Sequence, residues 1–228
     1  MMALLFIPPL FKIFKMKKLM IGILFVTYLS NSSFAQVVPQ GYLIGPQTIG
    51  GQLWALVNLS STHFANGDVI PYYTSASAFA GLTSPASCSV NFNPANDAIY
   101  GRFYNWYAVS DNRNVCPVNW HVPNITDFSS LSLTIGGSGA GNKLKATGFT
   151  YWSNGGGTDA YSFKAIGTGY MGSSSYSNLS KATYFWTINE VSTGSGNAYT
   201  WSLLDGPTTL AQSAQGKIGG FSVRCIHD

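Results

Sequence analysis

The alternation of hydrophobic and polar positions predicts short strands in the first third of the chain. Residues 42–59 alternate and are interrupted at Gly45-Pro46 and Gly50-Gly51, which predicts two short strands joined by a turn. Asn66-Gly67-Asp68 is the next strong turn signal. Residues 72–98 have no clear period, so we predict a long surface loop there that carries Cys88.

Helical signals follow in the middle of the chain. The segment 101–109 places aromatic residues at the i, i+3, i+4 spacing of one helical face, which predicts a short helix. Asn124 is placed to cap a second helix, with Asp127 at the third helical position and Gly136-Gly137 as its end. Residues 140–147 predict a third short helix.

After Gly148 the pattern predicts only strands and turns. Glycine- and serine-rich turns separate short aromatic-rich runs, which is typical of a strand meander. The candidate strands are 163–166, 184–186, 198–203 and 220–226. Helices in the first half and strands in the second favour the α+β class.

The N-terminal residues indicate an exported protein. The positive segment 16–18 (MKK) precedes an apolar run at 19–29, and small residues flank Phe34, which predicts a signal peptide 1–35 cleaved after Ala35. Residues 1–15 are interpreted as a mis-assigned start. A membrane anchor is the alternative, but a spanning helix needs about 20 apolar residues. We therefore predict no membrane span in the mature chain and a periplasmic, outer-surface or secreted location.

Composition and charge narrow the choice of partners. Only 9% of the residues are charged and 14% are aromatic, as in exported, loop-rich proteins. Four of the twelve basic residues precede position 36, so residues 36–228 carry eight basic and eight acidic side chains. This neutral balance argues against nucleic acid as a partner. The 193 residues of that segment are predicted to form one domain.

The three cysteines allow one disulfide and one leftover thiol in an oxidising compartment. Their number alone does not fix the pairing. The three positions are Cys88, Cys116 and Cys225.

Seven ordered blocks carry a resemblance to a known family. They are 49–54 (IGGQLW) with 58–59 (NL), 66–71 (NGDVIP), 100–109 (YGRFYNWYAV), 116–117 (CP) with 120–123 (WHVP), 141–145 (GNKLK), 185–190 (FWTINE) and 220–225 (GFSVRC). Together they resemble the Fibrobacter succinogenes major paralogous domain, which is found in exported bacterial proteins. The chain departs from the family pattern at 55–57 and at Asn119, which stands where a glycine is usual.

The resemblance implies a C-type-lectin-like fold, related to the formylglycine-generating sulfatase-modifying factors. Two or three short helices would pack on twisted antiparallel sheets. It also implies a disulfide between Cys116 and Cys225. A bridge between Cys88 and Cys116 is the alternative, and a free reactive thiol at Cys88 is a third interpretation.

Catalytic and metal-binding signals are sparse. His121 is the most obvious catalytic candidate, but neither a partner carboxylate nor a nucleophile motif accompanies it in the sequence, and we interpret it as a structural histidine bonded to backbone. His63 and His227 are not spaced as metal ligands. A lectin-type calcium site would need converging carboxylates, and Asn189-Glu190 is the only fragment that resembles one. We therefore predict no metal and no cofactor, with calcium as the weaker alternative.

The aromatic residues divide into core and surface candidates. Tyr170, Tyr176, Tyr199 and Trp201 lie beside glycine- and serine-rich turns, a composition that recognition loops use. Ordinary flexible loops are the alternative interpretation. We assign to the core the tryptophans inside the family blocks, namely Trp54, Trp106, Trp120 and Trp186.

These observations predict a non-enzymatic recognition module that binds a glycan or protein through the loops of residues 167–215. The ligand-binding candidates are Tyr170, Tyr176, Asn189, Glu190, Tyr199 and Trp201. A structural subunit of a surface layer or appendage is the alternative. A divergent copper oxidase of the sulfatase-modifying type is a third hypothesis, although it would need a late cysteine pair and only Cys225 is present there.

Overall fold

The computed structural model describes residues 46–172 and 174–228, in which short strands predominate. The predicted signal peptide lies outside the described residues. Within them, no helix has the length and apolar character needed to cross a membrane. The α-helices are α1 (Ala76–Phe79), α2 (Asp97–Tyr100), α3 (Trp106–Val109) and α4 (Ile125–Ile135). Three 3-10 helices accompany them, at Val90–Phe92, Pro94–Asn96 and Ser138–Lys143.

The strands form three sheets. In chain order they are β1 (Gln47–Ile49), β2 (Gln52–Trp54), β3 (Ser87–Ser89), β4 (Arg102–Tyr104), β5 (Trp120–His121), β6 (Thr168–Met171), β7 (Tyr176–Leu179), β8 (Ala182–Glu190), β9 (Asn197–Leu204), β10 (Leu210–Gly216) and β11 (Ile226–His227). A four-stranded sheet has the order β1-β2-β11-β5, and a five-stranded sheet has the order β10-β9-β8-β6-β7. β3 and β4 form a two-stranded sheet, with isolated bridges from Ser87 to Tyr72 and from Tyr104 to Phe221. All neighbours are antiparallel except β6 and β8. The α+β class is confirmed, and the lectin-like fold stays a prediction.

Local sequence explains α4 and the first hairpin. The Asn124 side chain accepts the Asp127 N–H, and the Asp127 carboxylate accepts the Asn124 N–H, which is a complete capping box. Gly136 ends the helix in the left-handed conformation. Gly50 and Gly51 both have positive φ in the turn between β1 and β2, as predicted.

Both faces of the five-stranded sheet are buried over much of their area. Phe185 and Trp186 are neighbours on β8 and point to opposite faces, so each joins a different hydrophobic cluster. α4 packs Phe128, Leu131 and Ile135 into the first cluster. The second cluster contains α3 and the disulfide, and a third lies beneath α1 and β3.

The C-terminal block 220–225 passes between these layers and anchors them through Arg224. Its guanidinium is buried, donates to Asn58 Oδ1 at 2.7 Å and to the carbonyl oxygens of Ala55 and Phe163, and stacks 4.6 Å from the Phe163 ring centroid. The segment therefore ties the start of the domain to its centre.

The cysteines are arranged as the resemblance implies. Cys116 and Cys225 form a disulfide with a sequence separation of 109. Cys88 is free and fully buried in β3, so its prediction as part of a surface loop was wrong. Burial, together with the Asp97 carboxylate, raises the pKa of its thiol, so the reactive thiolate is disfavoured.

Several predicted elements differ from the structure. Phe103 lies in β4, so the predicted helix at 101–109 is reduced to the single turn α3. The predicted helix at 140–147 is the 3-10 helix Ser138–Lys143. The predicted strands 163–166 and 220–226 contain only isolated bridges, apart from Ile226 in β11. Such segments are held by packing and single bridges rather than by continuous ladders.

Candidate functional site

Two tyrosines on adjacent strands form a pair on one face of the five-stranded sheet. The ring centroids of Tyr170 on β6 and Tyr184 on β8 are 5.3 Å apart in an edge-to-face arrangement. Both side chains are partly buried. No hydrogen bond from the described residues engages either phenol hydroxyl, so both remain able to bind a ligand.

Phe221 supports the tyrosine pair from the C-terminal block. Its ring centroid lies 5.9 Å from that of Tyr170 and 5.5 Å from that of Tyr184. Trp186 meets the same ring edge-on at 4.8 Å. The two tyrosines are thus fixed by aromatic packing on a hydrogen-bonded sheet, and little side-chain entropy remains to be lost on binding.

Neutral side chains lie beside the pair on β9 and β10, and the ion pair of Glu190 with Lys217 lies farther along the same side, where Glu190 is opposite Ala198. Tyr184 on β8 pairs with Ser202 on β9, and Ser202 pairs with Ala211 on β10. Ser213 lies two residues farther along β10 on the same side. We call three neutral, partly buried side chains of this side the tyrosine face, namely Tyr170, Tyr184 and Gln215.

Burial also sets the electrostatics of the pair. It raises the pKa of Tyr184 above its ordinary value of 10, and the neighbouring Tyr170 adds to the shift. Tyr184 is therefore a neutral hydrogen-bond donor and acceptor at physiological pH. The tyrosine face offers ring surface, hydroxyl groups and an amide, which suits a neutral polar ligand.

Of the six predicted ligand residues, only Tyr170 belongs to this face. Tyr199 and Trp201 lie on the opposite face of β9, because residues of odd and even number alternate along the strand. The surface position predicted for Trp201 was wrong, since it is 7% exposed and stacks on Phe128 at 5.8 Å. The Tyr176 hydroxyl donates to the Thr168 carbonyl.

Asn189 and Glu190 take part in the fold itself. Asn189 Oδ1 accepts the Ile125 N–H at the start of α4 at 2.8 Å. Glu190 accepts from Lys217 Nζ and from the Gly194 N–H, each at 2.8 Å, and these bonds lower the pKa of its carboxyl. These oxygen atoms are therefore already engaged. Among the described residues, no group of three or more His, Cys, Asp or Glu side chains is placed to hold a metal ion.

The tryptophan assignments are confirmed for Trp54, Trp106 and Trp186, which are buried, whereas Trp120 is only partly buried. Each buried indole of these three donates to an oxygen atom of the fold.

His121 contacts carboxylates rather than backbone. Its Nδ1 lies 2.5 Å from Asp228 Oδ1, and its Nε2 lies 3.6 Å from Asp127 Oδ2. The predictions of a backbone partner and of no partner carboxylate were therefore both wrong. Asp127 already caps α4, so this cluster fixes the end of the chain beside the helix.

Tyr184 was missed as a candidate by the sequence interpretation. The run 182–186 alternates Ala, Tyr and Trp with Thr and Phe, but it is apolar on both sides. Which of its residues share a face with Tyr170 depends on the parallel pairing of β6 with β8, and the sequence does not encode that pairing locally.

Comparison with known proteins gave one match. A family model described as the Fibrobacter succinogenes major domain matches residues 48–227. This match confirms the resemblance carried by the seven sequence blocks. Neither the curated proteins nor the solved structures include a match to the chain.

Proposed function

The chain belongs to the Fibrobacter succinogenes major domain family, and from that premise we propose that it is an exported, non-enzymatic recognition module that binds a neutral glycan. The binding site would be the tyrosine face. The observation that carries the proposal is the pair of packed tyrosines whose hydroxyl groups have no partner among the described residues.

The chemistry of the face favours a sugar over a charged ligand. A pyranose ring presents C–H groups that pack on aromatic faces, and hydroxyl groups that exchange hydrogen bonds with phenols and amides. The rings of Tyr170 and Tyr184 supply the first kind of contact, and their hydroxyl groups together with Gln215 add the second. No side chain of the tyrosine face carries a charge, and Lys217 on the same side is already paired with Glu190, so a phosphate or an acidic peptide would compete with that carboxylate for its counter-ion.

Export is supported by the disulfide between Cys116 and Cys225, since such bonds persist in oxidising compartments. Cys225 is bonded in this way, so its thiolate is not available to a metal while the disulfide is intact. This arrangement favours recognition over the copper-oxidase hypothesis.

A glycan and surface-polysaccharide array tests the proposal. We would compare the wild type with Tyr184→Ala, Tyr170→Ala and Tyr199→Ala, after circular dichroism has shown that each variant is folded. Tyr199 is a matched control, because it is a partly buried tyrosine of the same sheet on the opposite face.

Saturable binding that falls about tenfold or more in Tyr184→Ala and Tyr170→Ala, and is retained in Tyr199→Ala, would support the site; tenfold corresponds to about 1.4 kcal/mol. Equal losses in all three variants would contradict the assignment to this face. Binding to cell-surface proteins but to no glycan would show that the ligand is a protein. Chelator-sensitive binding would instead favour calcium.

A further inference from the structure

β10 is an edge strand without the features that usually protect sheet edges. It ends the five-stranded sheet, and its pairing with β9 runs without a bulge from Leu210 to Gly216. Natural edges are commonly protected by charged residues, proline or bulges, and this strand (LAQSAQG) contains none of them. Among the described residues, no strand pairs with the outer side of β10. The 3-10 helix Ser138–Lys143 approaches its beginning, where a Cβ on Gly141 would meet the Leu210 nitrogen at 2.8 Å.

The backbone groups that face outward can be assigned from hydrogen bonds to β9. The Ser202 and Thr200 hydroxyls donate to the carbonyl oxygens of Ala211 and Ser213, so the odd-numbered carbonyls face β9. The Lys217 N–H, which donates to the Gly196 carbonyl, follows the same parity. Since backbone groups alternate along an antiparallel strand, the N–H and C=O of Gln212 and Ala214 face the open edge.

The side chains of this strand are complementary to those of a second, antiparallel copy. If two β10 strands meet with Ser213 opposite Ser213, each Gln212 faces an Ala214 and each Ala211 faces a Gln215. Every large side chain thus lies opposite a small one, and no like charges meet. The outward groups of Gln212 and Ala214 then form four backbone hydrogen bonds across the interface.

We propose that β10 pairs antiparallel with β10 of a second copy of this chain, centred on Ser213, to form a continuous ten-stranded sheet. We favour a second copy as the partner of this edge for two reasons. In the antiparallel pair, large side chains of one β10 lie opposite small ones of the other, and the outward N–H and C=O groups of the two strands face each other. The interface is isologous and closes after two copies, so the product is a dimer rather than a filament.

Sedimentation velocity of the processed, disulfide-intact protein tests self-association directly. The wild type is expected to shift from monomer to dimer as its concentration rises. Ala214→Pro removes an outward N–H while leaving the ladder to β9 intact, so this variant should remain monomeric at the concentrations where the wild type dimerises. A wild type that stays monomeric up to about 200 μM, which means a dimer Kd weaker than about 200 μM, would overturn the proposal.

Single cysteines test the register. Residue 213 would form a non-hydrogen-bonded pair with its copy, in which Cα atoms lie about 4.5 Å apart, within disulfide range. Ser213→Cys should therefore cross-link into a dimer when oxidised glutathione accepts the two electrons, and the reductant dithiothreitol should reverse it. Gln212→Cys is the matched control, because residue 212 faces residue 214 of the other copy. Equal cross-linking of both variants would contradict the proposed register, as would no cross-linking of Ser213→Cys in a folded protein.

Discussion

At the scale of single residues, one unsatisfied donor distinguishes Trp201 from the other buried indoles. Trp201 Nε1 is buried and has no hydrogen-bond partner in the described part of the chain, whereas Trp186 Nε1 donates to the Tyr104 carbonyl at 2.8 Å. A buried donor without a partner costs about 1–3 kcal/mol, while a bonded one contributes to stability.

The two tryptophans should therefore respond differently to replacement by phenylalanine. Trp201→Phe removes the unpaired N–H and retains an aromatic ring against Phe128, so the free energy of unfolding should change by less than about 1 kcal/mol. Trp186→Phe loses similar volume and also the indole hydrogen bond to the Tyr104 carbonyl, which still accepts the Phe221 N–H, and should cost about 2 kcal/mol. Urea denaturation measures both. Equal losses would show that Trp201 Nε1 has an acceptor in solution.

Tyr184 gives a prediction for alkaline pH. Its pKa is raised by burial in the folded protein, so the unfolded chain loses this proton first. The stability it contributes is fully present below pH 10, its ordinary pKa, and is lost as pH rises through the higher folded pKa. Above about pH 10, as the pH rises towards the folded pKa of Tyr184, the wild type should lose more stability than Tyr184→Phe in urea denaturation. Parallel pH profiles for the two proteins would contradict this assignment.

The residue scale also shows where sequence reasoning reached its limit. The aromatic candidates were selected for neighbouring glycines and serines, and this criterion found Tyr170. It could not separate Tyr199 from Tyr184, since the face of a strand residue depends on its register with other strands. It also treated Trp201 as exposed, although α4 covers this part of β9 through Phe128.

At the scale of elements, α4 and β10 are opposite cases. α4 was predicted with its cap and its end because all of its signals lie within the thirteen residues from Asn124 to Gly136. β10 was missed because Leu210 is its one buried large side chain, and the rest of the strand is alanine, glutamine, serine and glycine. β10 is a strand because it pairs with β9 over seven residues. This pairing is a tertiary contact, so the strand propensity of the β10 residues does not predict it.

The start of α4 has a second acceptor besides its capping box. Asn189→Ala removes the side-chain oxygen that accepts the Ile125 N–H, and should lower the free energy of unfolding by about 1 kcal/mol, as caps do. Ligand binding at the tyrosine face should be unchanged. Asn112→Ala is the control, because Asn112 is exposed. A loss of binding in folded Asn189→Ala would return this residue to the ligand site.

At the scale of the whole molecule, the disulfide joins the entry of α4 to the C-terminal block. In the chain-entropy model, closing a separation of 109 residues stabilises the fold by about 4–5 kcal/mol. This is a large share of the roughly 5–15 kcal/mol typical of a domain. Cys116→Ala/Cys225→Ala should thus unfold at much lower urea concentration than the wild type. Cys88→Ala, which removes a buried but free thiol, is the control and should cost less than about 2 kcal/mol.

The proposed dimer and the proposed glycan site combine into a prediction about avidity. A two-fold axis perpendicular to the sheet leaves both tyrosine faces on the same side. The two β8 strands would be separated by five strand spacings, about 24 Å across the sheet. Two such sites can engage one polysaccharide surface together, which raises the apparent affinity without any new contact.

The cross-linked Ser213→Cys dimer should therefore dissociate from an immobilised polysaccharide at least about tenfold more slowly than Ala214→Pro, the expected monomer. Surface plasmon resonance at high and low density of the immobilised polysaccharide measures this difference in dissociation rate. The difference should become smaller at low density, because the two sites of one dimer can then no longer bind neighbouring polysaccharide chains at the same time. Adding Tyr184→Ala to the cross-linked dimer separates the two proposals. If this variant is still a dimer but no longer dissociates slowly, the dimer proposal and the glycan-site proposal are both supported. If the cross-linked dimer and the monomer dissociate at the same rate at high ligand density, the two tyrosine faces do not reach one surface together, and the avidity prediction is contradicted.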